Sequence, residues 1–155
     1  MIRRLKKSDI KDIIDFSKKT GKFRKKEIKD FRESLEYAFH PDEFYEIKCF
    51  TEKGKVIGVV GYSETGLTTA TYDLLWLVVD PIHQGKGIGS KLLIYAEQRL
   101  KKKGAKLIVI QTSGKKGYRD VQRFYVKRGY KLEARIKDYY RKRDDLLIYV
   151  KRLHR

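Results

Sequence analysis

The sequence predicts one domain, residues 1–155, of the α/β or α+β class. Three observations support this prediction. Segments with apolar residues at helical spacing alternate with apolar runs of strand length, such as Leu74–Val79. Hydrophobic residues make up 41% of the chain, which is enough to build a packed core. A length of 155 residues suits one compact domain.

The hydrophobic pattern, together with residues that typically begin or end helices, predicts eleven helices and strands along the chain. Ser8 is the expected N-cap of the first helix, and Gly21 and Gly129 are expected to end helices. The predicted elements are strand Ile2–Leu5, helix Asp9–Lys19, helix Lys25–Phe39, strands Phe44–Thr51, Lys55–Tyr62 and Thr68–Val79, a helix from the glycine-rich turn to Lys103, strand Leu107–Thr112, helix Arg119–Arg128, and strands Tyr130–Ile136 and Leu146–Leu153.

The charge is unevenly distributed along the chain, and the formal net charge is +18. Residues 81–155 carry 22 Lys and Arg against 6 Asp and Glu, whereas residues 41–80 carry 3 against 7. The basic half suits a polyanion, such as a nucleic acid, a membrane surface or a multiply phosphorylated small molecule. A solvated surface rich in Lys and Glu is the alternative interpretation.

Cysteine content and hydropathy narrow the class of protein. One cysteine excludes an intramolecular disulfide framework and a Cys-based zinc cluster. The start of the sequence lacks the apolar stretch of a signal peptide, and no segment reaches 18 apolar residues. We therefore expect a cytoplasmic protein with no membrane partner, and three scattered histidines predict no metal site.

A glycine-rich turn joins a predicted strand directly to a predicted helix. The strand ends at Val79, and Gly85, Gly87 and Gly89 lead into the helix. Unpaired N–H groups at a helix N-terminus, approached through glycines, bind phosphate. Lys86 is followed by glycine rather than Ser or Thr, so this is not a Walker loop, and the glycine spacing departs from the dinucleotide fingerprint. A tight turn without a ligand is the alternative.

Two segments together resemble the GNAT superfamily of N-acetyltransferases. Gln84–Gly89 resembles its acetyl-coenzyme A signature, Q/R-x-x-G-x-G/A, and Phe124–Tyr130 resembles its F-Y-x-x-x-G-F/Y segment. Either motif alone is weak evidence, but here both occur in the family's order, separated by one helix and one strand. The resemblance implies an α+β fold with a mixed, mostly antiparallel sheet of about seven strands, flanked by about four helices, in which the fourth and fifth strands diverge.

The resemblance also implies acetyl-CoA as co-substrate and a set of residues that bind it. Main-chain groups of the strand end would bind the pantetheine arm, and the glycine turn would wrap the pyrophosphate. Tyr118 occupies a position where many members carry an Asn that contacts this arm. The implied cofactor-binding residues are Leu77, Val78, Val79, Gln84, Gly85, Lys86, Gly87, Ile88, Gly89, Ser90, Tyr118 and Tyr125.

Acetyl transfer to an amine by direct attack in a ternary complex needs a base and an acid. The candidate base is Asp73, because an alkylamine with a pKa of about 10 must lose a proton. Tyr125 is the candidate acid, because it aligns with the tyrosine that protonates the departing thiolate in this family. Asp73 facing solvent and Tyr125 packing in the core are the alternatives. Cys49 is expected to be a buried, inert thiol rather than an acetyl carrier.

The acceptor is less clearly indicated than the cofactor. The tail, with Tyr139-Tyr140 followed by Asp144-Asp145, is similar to members that acetylate protein N-termini, whereas Thr71–Leu74 resembles a widespread prokaryotic set. We therefore expect a primary amine as acceptor, on a small molecule or a protein N-terminus. The alternatives are a basic nucleic-acid-binding module and a catalytically inactive CoA-binding sensor. We expect only non-specific nucleic-acid binding, and the sequence leaves a homodimer open.

Overall fold

The computed structural model describes residues 1–41 and 45–154. Within those residues the chain forms seven strands and four helices. In chain order they are β1 (Ile2–Arg4), α1 (Ile10–Lys19), α2 (Lys25–Tyr37), β2 (Tyr45–Glu52), β3 (Lys55–Glu64), β4 (Thr71–Val79), α3 (Ile88–Lys102), β5 (Leu107–Ser113), α4 (Arg119–Lys127), β6 (Lys131–Arg141) and β7 (Asp144–Arg152).

The strands of the described chain form one mixed sheet in the order β1-β2-β3-β4-β5-β7-β6. β4 and β5 pair in parallel through Thr71–Leu74 and Leu107–Ile110. The pairs β1–β2, β2–β3, β5–β7 and β6–β7 are antiparallel. This confirms the predicted α+β fold with a mostly antiparallel sheet. The predicted divergence of the fourth and fifth strands stays a prediction.

The predicted start of the first helix is wrong in detail. Ser8 is exposed and lies within a short 3₁₀ turn, and α1 begins at Ile10. The carboxylate of Asp9 organises this turn instead. It accepts hydrogen bonds from the Lys6 backbone N–H at 2.7 Å and from both terminal nitrogens of Arg3 at 2.8 and 2.9 Å. Asp9 therefore stabilises the turn, partly through an ion pair with Arg3 that the local sequence does not indicate.

Two strand boundaries differ from the prediction by three residues or more, both because of turns, and the other described strand ends lie within two residues of the prediction. β4 begins at Thr71 rather than Thr68, because the Thr68 hydroxyl donates to the Thr65 carbonyl at 2.8 Å and closes a turn. β6 continues to Arg141 instead of ending at Ile136. The Asp138 N–H donates to an Asp145 carboxylate oxygen at 3.0 Å, which supports this irregular extension. The predicted strand start at Phe44 lies outside the described residues.

One compact unit comprises Met1–Ser63 and Trp76–Arg99. Its core lies between the apolar face of β2 and β3 and the stripes of α1 and α2. Most apolar residues on one side of each helix are buried, because helical spacing brings them to one face. On α1 and α2 these are Ile13, Ile14, Phe16, Ile28, Phe31 and Leu35, and on α3 they are Leu92, Leu93 and Ala96. The predicted end of the second helix at Phe39 is wrong: α2 ends at Tyr37, and Phe39 is exposed.

The other compact unit comprises Glu64–Leu75 and Leu100–Arg155. Within it β5 lies between the start of β4 and β7, and β6 follows at the edge. Ile108, Ile110, Leu146 and Leu147 are buried, whereas β6 is exposed from Lys131 to Tyr140. In the described part of the chain, no helix has the length and hydropathy needed to cross a membrane.

Candidate active site

The glycine turn belongs to the first unit, where Asp80 shapes the exit from β4. Its backbone N–H donates to the Ile57 carbonyl on β3 at 2.8 Å, which fixes the end of the strand. Its carboxylate accepts from the Ile82 N–H at 3.2 Å and so caps a 3₁₀ turn over Pro81–His83. This buried aspartate therefore sets the direction in which the chain leaves the sheet.

Two glycines of the turn adopt a left-handed backbone. Gly85 has φ +80° and Gly87 has φ +81°, values at which any side chain is strained. A Cβ atom at either position would meet nothing within 4 Å, so open space surrounds both. Helix α3 begins immediately afterwards at Ile88, and the Lys91 N–H donates to the Gly87 carbonyl at 3.0 Å. The glycines are needed for backbone conformation, and the space beside them stays open.

These features fit a diphosphate. The first N–H groups of a helix have no intrahelical acceptor and carry partial positive charge. Gln84–Gly87 is exposed, so a ligand can reach the turn, while Ile88 is buried and holds the helix start in place. Lys86 adds a formal positive charge between the two left-handed glycines. The residues present can therefore hold the pyrophosphate of acetyl-CoA.

Gln84 closes the turn back onto the strand. Its side-chain amide nitrogen donates to the Val79 carbonyl at 3.3 Å. The contact joins the first residue of the Q-x-x-G-x-G motif to one of the three main-chain positions expected to bind the pantetheine arm. Of those three positions, Val78 is buried, and Leu77 and Val79 are half-buried. Gln84 therefore acts in this structure as a brace for the strand end.

Gly58 on β3 is a residue of this region that sequence reasoning missed. A Cβ atom at Gly58 would lie 2.9 Å from Leu92 Cδ1 and 3.2 Å from Ile88 Cγ2. The missing side chain therefore lets the first turn of α3 approach the sheet closely. A glycine inside an apolar strand is the signal that could have identified it.

Asp73, the candidate base, lies in the second unit on β4. It is half-buried, between the buried Tyr72 and Leu74, which face the other side of the strand. The Thr65 hydroxyl donates to Asp73 Oδ2 at 2.8 Å. Among the described residues this is the one hydrogen bond that the carboxylate accepts, so Oδ1 has capacity for a further donor. The carboxylate is thus held in place but still has an acceptor oxygen for a proton.

Tyr125, the candidate acid, lies on α4 in the same unit and is 6% exposed. Its ring meets Phe124 and Tyr130 edge to face, with centroids 5.3 and 5.6 Å apart. Burial raises the pKa of Tyr125 above its usual value, so the hydroxyl keeps its proton at neutral pH. Its hydroxyl forms no hydrogen bond with any described residue, and it therefore has a proton to offer a ligand.

Tyr118 is the residue before α4. It occupies the N-cap, and its side chain makes no capping hydrogen bond. An Asn there could accept from the helix N–H groups, whereas a Tyr ring cannot reach back in this way.

No hydrogen bond joins Asp73 to Tyr125 among the described residues, so the structure does not bring the two candidate catalytic groups into direct contact.

Cys49 is fully buried on β2, at 0% exposure. Burial, followed by the nearby charge of Asp9, raises the pKa of the Cys49 thiol to about 12. The thiolate that nucleophilic attack would need is therefore absent at neutral pH.

Among residues 1–41 and 45–154, no group of His, Cys, Asp or Glu side chains is arranged to hold a metal ion.

Trp76 packs in the core of the first unit. Its ring lies 4.3 Å from that of Phe31, centroid to centroid, and its indole N–H donates to the Ser34 hydroxyl at 2.8 Å. The Ser34 hydroxyl also makes a short contact with the Tyr45 hydroxyl. These contacts hold Trp76 against α2 and give it a structural role.

The acids of the tail are engaged by nearby partners. Asp144 is buried and accepts from the Ser113 hydroxyl and from Arg141, both at 2.5 Å. Asp145 pairs with Arg135 at 2.6 Å. Tyr139 and Tyr140 are exposed and pack edge to face, with centroids 5.0 Å apart. The tyrosines are therefore accessible to a ligand, whereas the two aspartates stabilise the β6–β7 hairpin.

A glycine turn that opens onto a helix N-terminus, on a seven-stranded mixed sheet, fits the class of acetyl-CoA-dependent acyltransferases. The chain belongs to the Acetyltransferase (GNAT) family, whose model matches residues 11–130. It is 37% identical over 81 residues to an aminoalkylphosphonate N-acetyltransferase of Salmonella typhimurium, covering 50% of this chain and 51% of that protein. The chain thus matches about half the length of this curated relative.

Solved structures agree with this assignment. A structure described as a GNAT-family acetyltransferase from Desulfovibrio desulfuricans has a TM-score of 0.92 and 30% identity, and the match covers 98% of each chain. A ribosomal-protein-alanine N-acetyltransferase from Escherichia coli has a TM-score of 0.80 and 19% identity over 100% of this chain and 94% of that one, which shows the fold alone.

The family assignment confirms several predictions. The predicted superfamily is correct, as are the enzyme class, an acyltransferase, and the co-substrate, acetyl-CoA. The residues named for the site stay predictions. The structure places those residues in two sets: Trp76–Arg99 in the first unit contains the cofactor candidates from Leu77 to Ser90, and Asp73, Tyr118 and Tyr125 lie in the second.

Proposed function

We propose that residues 1–155 work as one N-acetyltransferase domain that transfers the acetyl group of acetyl-CoA to a primary amine. The glycine turn is the observation that carries this proposal. Gly85 and Gly87 adopt left-handed backbone conformations beside open space, and α3 begins directly after them. Together they provide the exposed backbone donors that a pyrophosphate requires.

In this proposal, Gln84, Gly85, Lys86, Gly87, Ile88, Gly89 and Ser90 hold the pyrophosphate, and main-chain groups of Leu77, Val78 and Val79 bind the pantetheine arm. The thioester is the electrophile, and its developing oxyanion needs a donor. A backbone N–H near Val78 is the proposed oxyanion donor, because the side chains of Leu77, Val78 and Val79 carry no polar hydrogen.

Asp73 is the proposed general base. It takes a proton from the ammonium form of the acceptor, directly or through one bridging water, and the free amine then attacks the thioester carbonyl. The carbon–nitrogen bond forms, the attacking nitrogen loses its second proton to solvent, and the carbon–sulfur bond breaks as the tetrahedral species collapses. The Thr65 hydroxyl, which donates to Asp73 Oδ2, keeps the carboxylate in one orientation.

Tyr125 is the proposed donor to the leaving sulfur. Its hydroxyl stays protonated because burial raises its pKa. A thiol with a pKa of about 8.5 is a stronger acid than this tyrosine, so full proton transfer to the thiolate is uphill. Tyr125 therefore acts by donating a hydrogen bond as negative charge develops on sulfur, and the released thiolate takes its proton from solvent, so that Tyr125 keeps its own.

The acceptor is proposed to be an amine on a small molecule or at a protein N-terminus. The curated relative from Salmonella is named for a small aminoalkylphosphonate, and the Escherichia coli structure for a ribosomal-protein alanine. The exposed Tyr139 and Tyr140 offer aromatic surface to either class. We place the enzyme in the cytoplasm, because its single cysteine is buried as a free thiol and suits a reducing compartment.

A thiol-release assay tests the proposed function directly. The acceptor panel would contain polyamines, aminoglycosides, aminoalkylphosphonates, amino acids and N-terminal peptides, each with acetyl-CoA. Release of CoA thiol that depends on one acceptor class supports the proposal. Tight acetyl-CoA binding without release on any amine would instead support the CoA-binding sensor.

A further inference from the structure

Three segments of the second unit are unusually basic. Residues 101–106, 127–131 and 151–154 contain nine Lys and Arg residues and no Asp or Glu. We call this set the cationic end: Lys101, Lys102, Lys103, Lys106, Lys127, Arg128, Lys131, Lys151 and Arg152. The acetyl-CoA proposal uses none of these residues.

The fold brings these segments together at one end of the sheet. The Leu153 N–H donates to the Lys106 carbonyl at 2.9 Å, and Leu107 pairs with Arg152 where β5 begins and β7 ends. Lys131 at the start of β6 pairs with Val150. The cationic end is thus a continuous surface on three adjacent strands, whose spacing is about 4.8 Å.

The last turn of α4 adjoins the same surface. The ammonium group of Lys151 donates to the carbonyl of Arg128 at 2.9 Å, so the C-terminus of α4 is tied to β7 beside the start of β6. Lys101 and Lys102 lie in the last turn of α3, four to five residues before Lys106. Helix C-termini attract cations, which lowers the cost of gathering these charges.

Five lysines of the cationic end are available for a ligand. Lys101, Lys102, Lys106, Lys127 and Lys131 are exposed, and in the described part of the chain none of the five forms an ion pair. The opposite end of the β6–β7 hairpin differs, because there Asp144 and Asp145 pair with Arg135, Arg141 and Lys115. The same unit therefore pairs its cations with carboxylates at one end, whereas these five lysines at the other end form no ion pair with a described residue.

We propose that the cationic end docks the phosphate backbone of a nucleic acid, without reading its sequence. Clustered, exposed ammonium groups suit closely spaced phosphates, and binding would be driven by release of condensed counterions. A lipid surface is a poorer fit. Within the three segments Ala105 and Tyr130 are buried and Leu153 is half-buried. Of the residues that flank them, Val126 and Leu132 are exposed, so little apolar surface is available for insertion into a bilayer.

A pair of matched variants tests the proposal. The first changes Lys101, Lys102, Lys106, Lys127 and Lys131 to Gln. The second changes five exposed lysines of the first unit to Gln: Lys11, Lys18, Lys19, Lys25 and Lys26. Both lose the same charge, so they separate a local surface from diffuse attraction. Thermal melts and acetyl-CoA binding establish that each variant folds.

Binding to a short duplex DNA and a short duplex RNA of random sequence is measured by fluorescence anisotropy between about 50 and 200 mM salt. We expect the affinity of the first variant to fall at least about tenfold and its salt dependence to become shallower, by up to about 0.9 for each phosphate that is no longer neutralised. The second variant should bind nearly as the unmodified chain does. Because this readout needs no turnover, it can fail or succeed independently of the proposed acetyl transfer.

Three results would overturn the proposal. Equal losses of affinity in the two variants would mean that the net charge of +18 attracts nucleic acid without a particular surface. Binding to vesicles of phosphatidylcholine and phosphatidylserine, with no binding to either duplex, would assign the surface to a membrane. Strong preference for one base sequence would contradict recognition through phosphates.

Discussion

The glycine turn and the pair Asp73 and Tyr125 represent two ways of building a site. The turn acts through backbone: its two left-handed glycines and the start of α3 present N–H groups. Asp73 and Tyr125 act through side chains, and their chemistry depends on Thr65, on burial and on neighbouring rings. A backbone site should be disrupted by added atoms, and a side-chain site by removed ones.

The largest effect is expected for Gly87→Glu. The new side chain adds a negative charge where phosphates are proposed to bind, at a position with φ +81°. We expect acetyl-CoA affinity to fall by about a thousandfold, or ~4 kcal/mol, measured by calorimetry. Gly21→Glu is the matched control, because Gly21 has φ +72° and nothing within 4 Å of its Cβ position. Similar affinities for both variants would remove the turn from the cofactor site.

Removing one oxygen atom from Tyr125 tests the side-chain region. Tyr125→Phe should lower kcat by about a hundredfold and leave acetyl-CoA affinity nearly unchanged, because it deletes the hydrogen bond to sulfur. Tyr149→Phe is the control, since Tyr149 is also buried in the second unit. Because the pKa of Tyr125 is raised, its ionisation should cause no loss of activity as the pH rises to about 10. An unchanged rate constant for acetyl transfer in single-turnover measurements would mean that Tyr125 serves only in packing.

Asp73→Asn should separate base catalysis from binding. At neutral pH only about one thousandth of an amine with a pKa of about 10 is unprotonated, so we expect turnover to fall by about a hundredfold. The deficit should shrink as the pH approaches the pKa of the acceptor, because solvent then supplies the free amine. Rate profiles against pH for both enzymes, with Asp12→Asn as a surface control, measure this. Parallel profiles would exclude Asp73 as the base.

The smallest effect is expected where the backbone region depends on packing. Gly58→Ala places a methyl group 2.9 Å from Leu92 Cδ1 and 3.2 Å from Ile88, the first residue of α3. We expect a loss of stability of about 1–3 kcal/mol and a several-fold loss of acetyl-CoA affinity. Gly61→Ala, which meets Trp76 at 3.2 Å, should lower stability alone. Chemical denaturation measures the stability of both variants, and calorimetry measures their acetyl-CoA affinity. Equal affinities would mean that the packing of α3 against β3 does not affect cofactor binding at the glycine turn.

The comparison also explains which parts of the fold the sequence could predict. Helices α1, α2 and α3 and their buried faces follow from apolar spacing, and Gly85 and Gly87 indicate the turn because few residues adopt positive φ. Ser8 misled because the turn before α1 is held by Arg3 and Asp9, six residues apart. The extent of β6 was missed because its last residues are supported by Asp145 on the next strand.

The same limit applies to the candidate site. Asp73 and Tyr125 could be selected by motif and chemistry, but the Thr65 hydroxyl on Asp73 and the edge-to-face rings around Tyr125 arise from tertiary packing. The engagement of Asp144 by Ser113, Arg141 and Lys115 was likewise invisible, because these residues meet only in the folded chain. Motifs can identify such ionisable side chains, but their hydrogen bonds and burial depend on residues that contact them only in the folded protein.

The burial of Cys49 has a practical consequence for reagents that detect thiols. With 0% exposure and a pKa of about 12, the native protein presents no reactive sulfur from this residue to a chromogenic disulfide or a maleimide. Colour formed in a coupled assay will therefore come from released coenzyme A and not from the enzyme. Conversely, slow labelling of Cys49 by such a reagent will report opening of the first unit, which makes it a built-in probe of local unfolding.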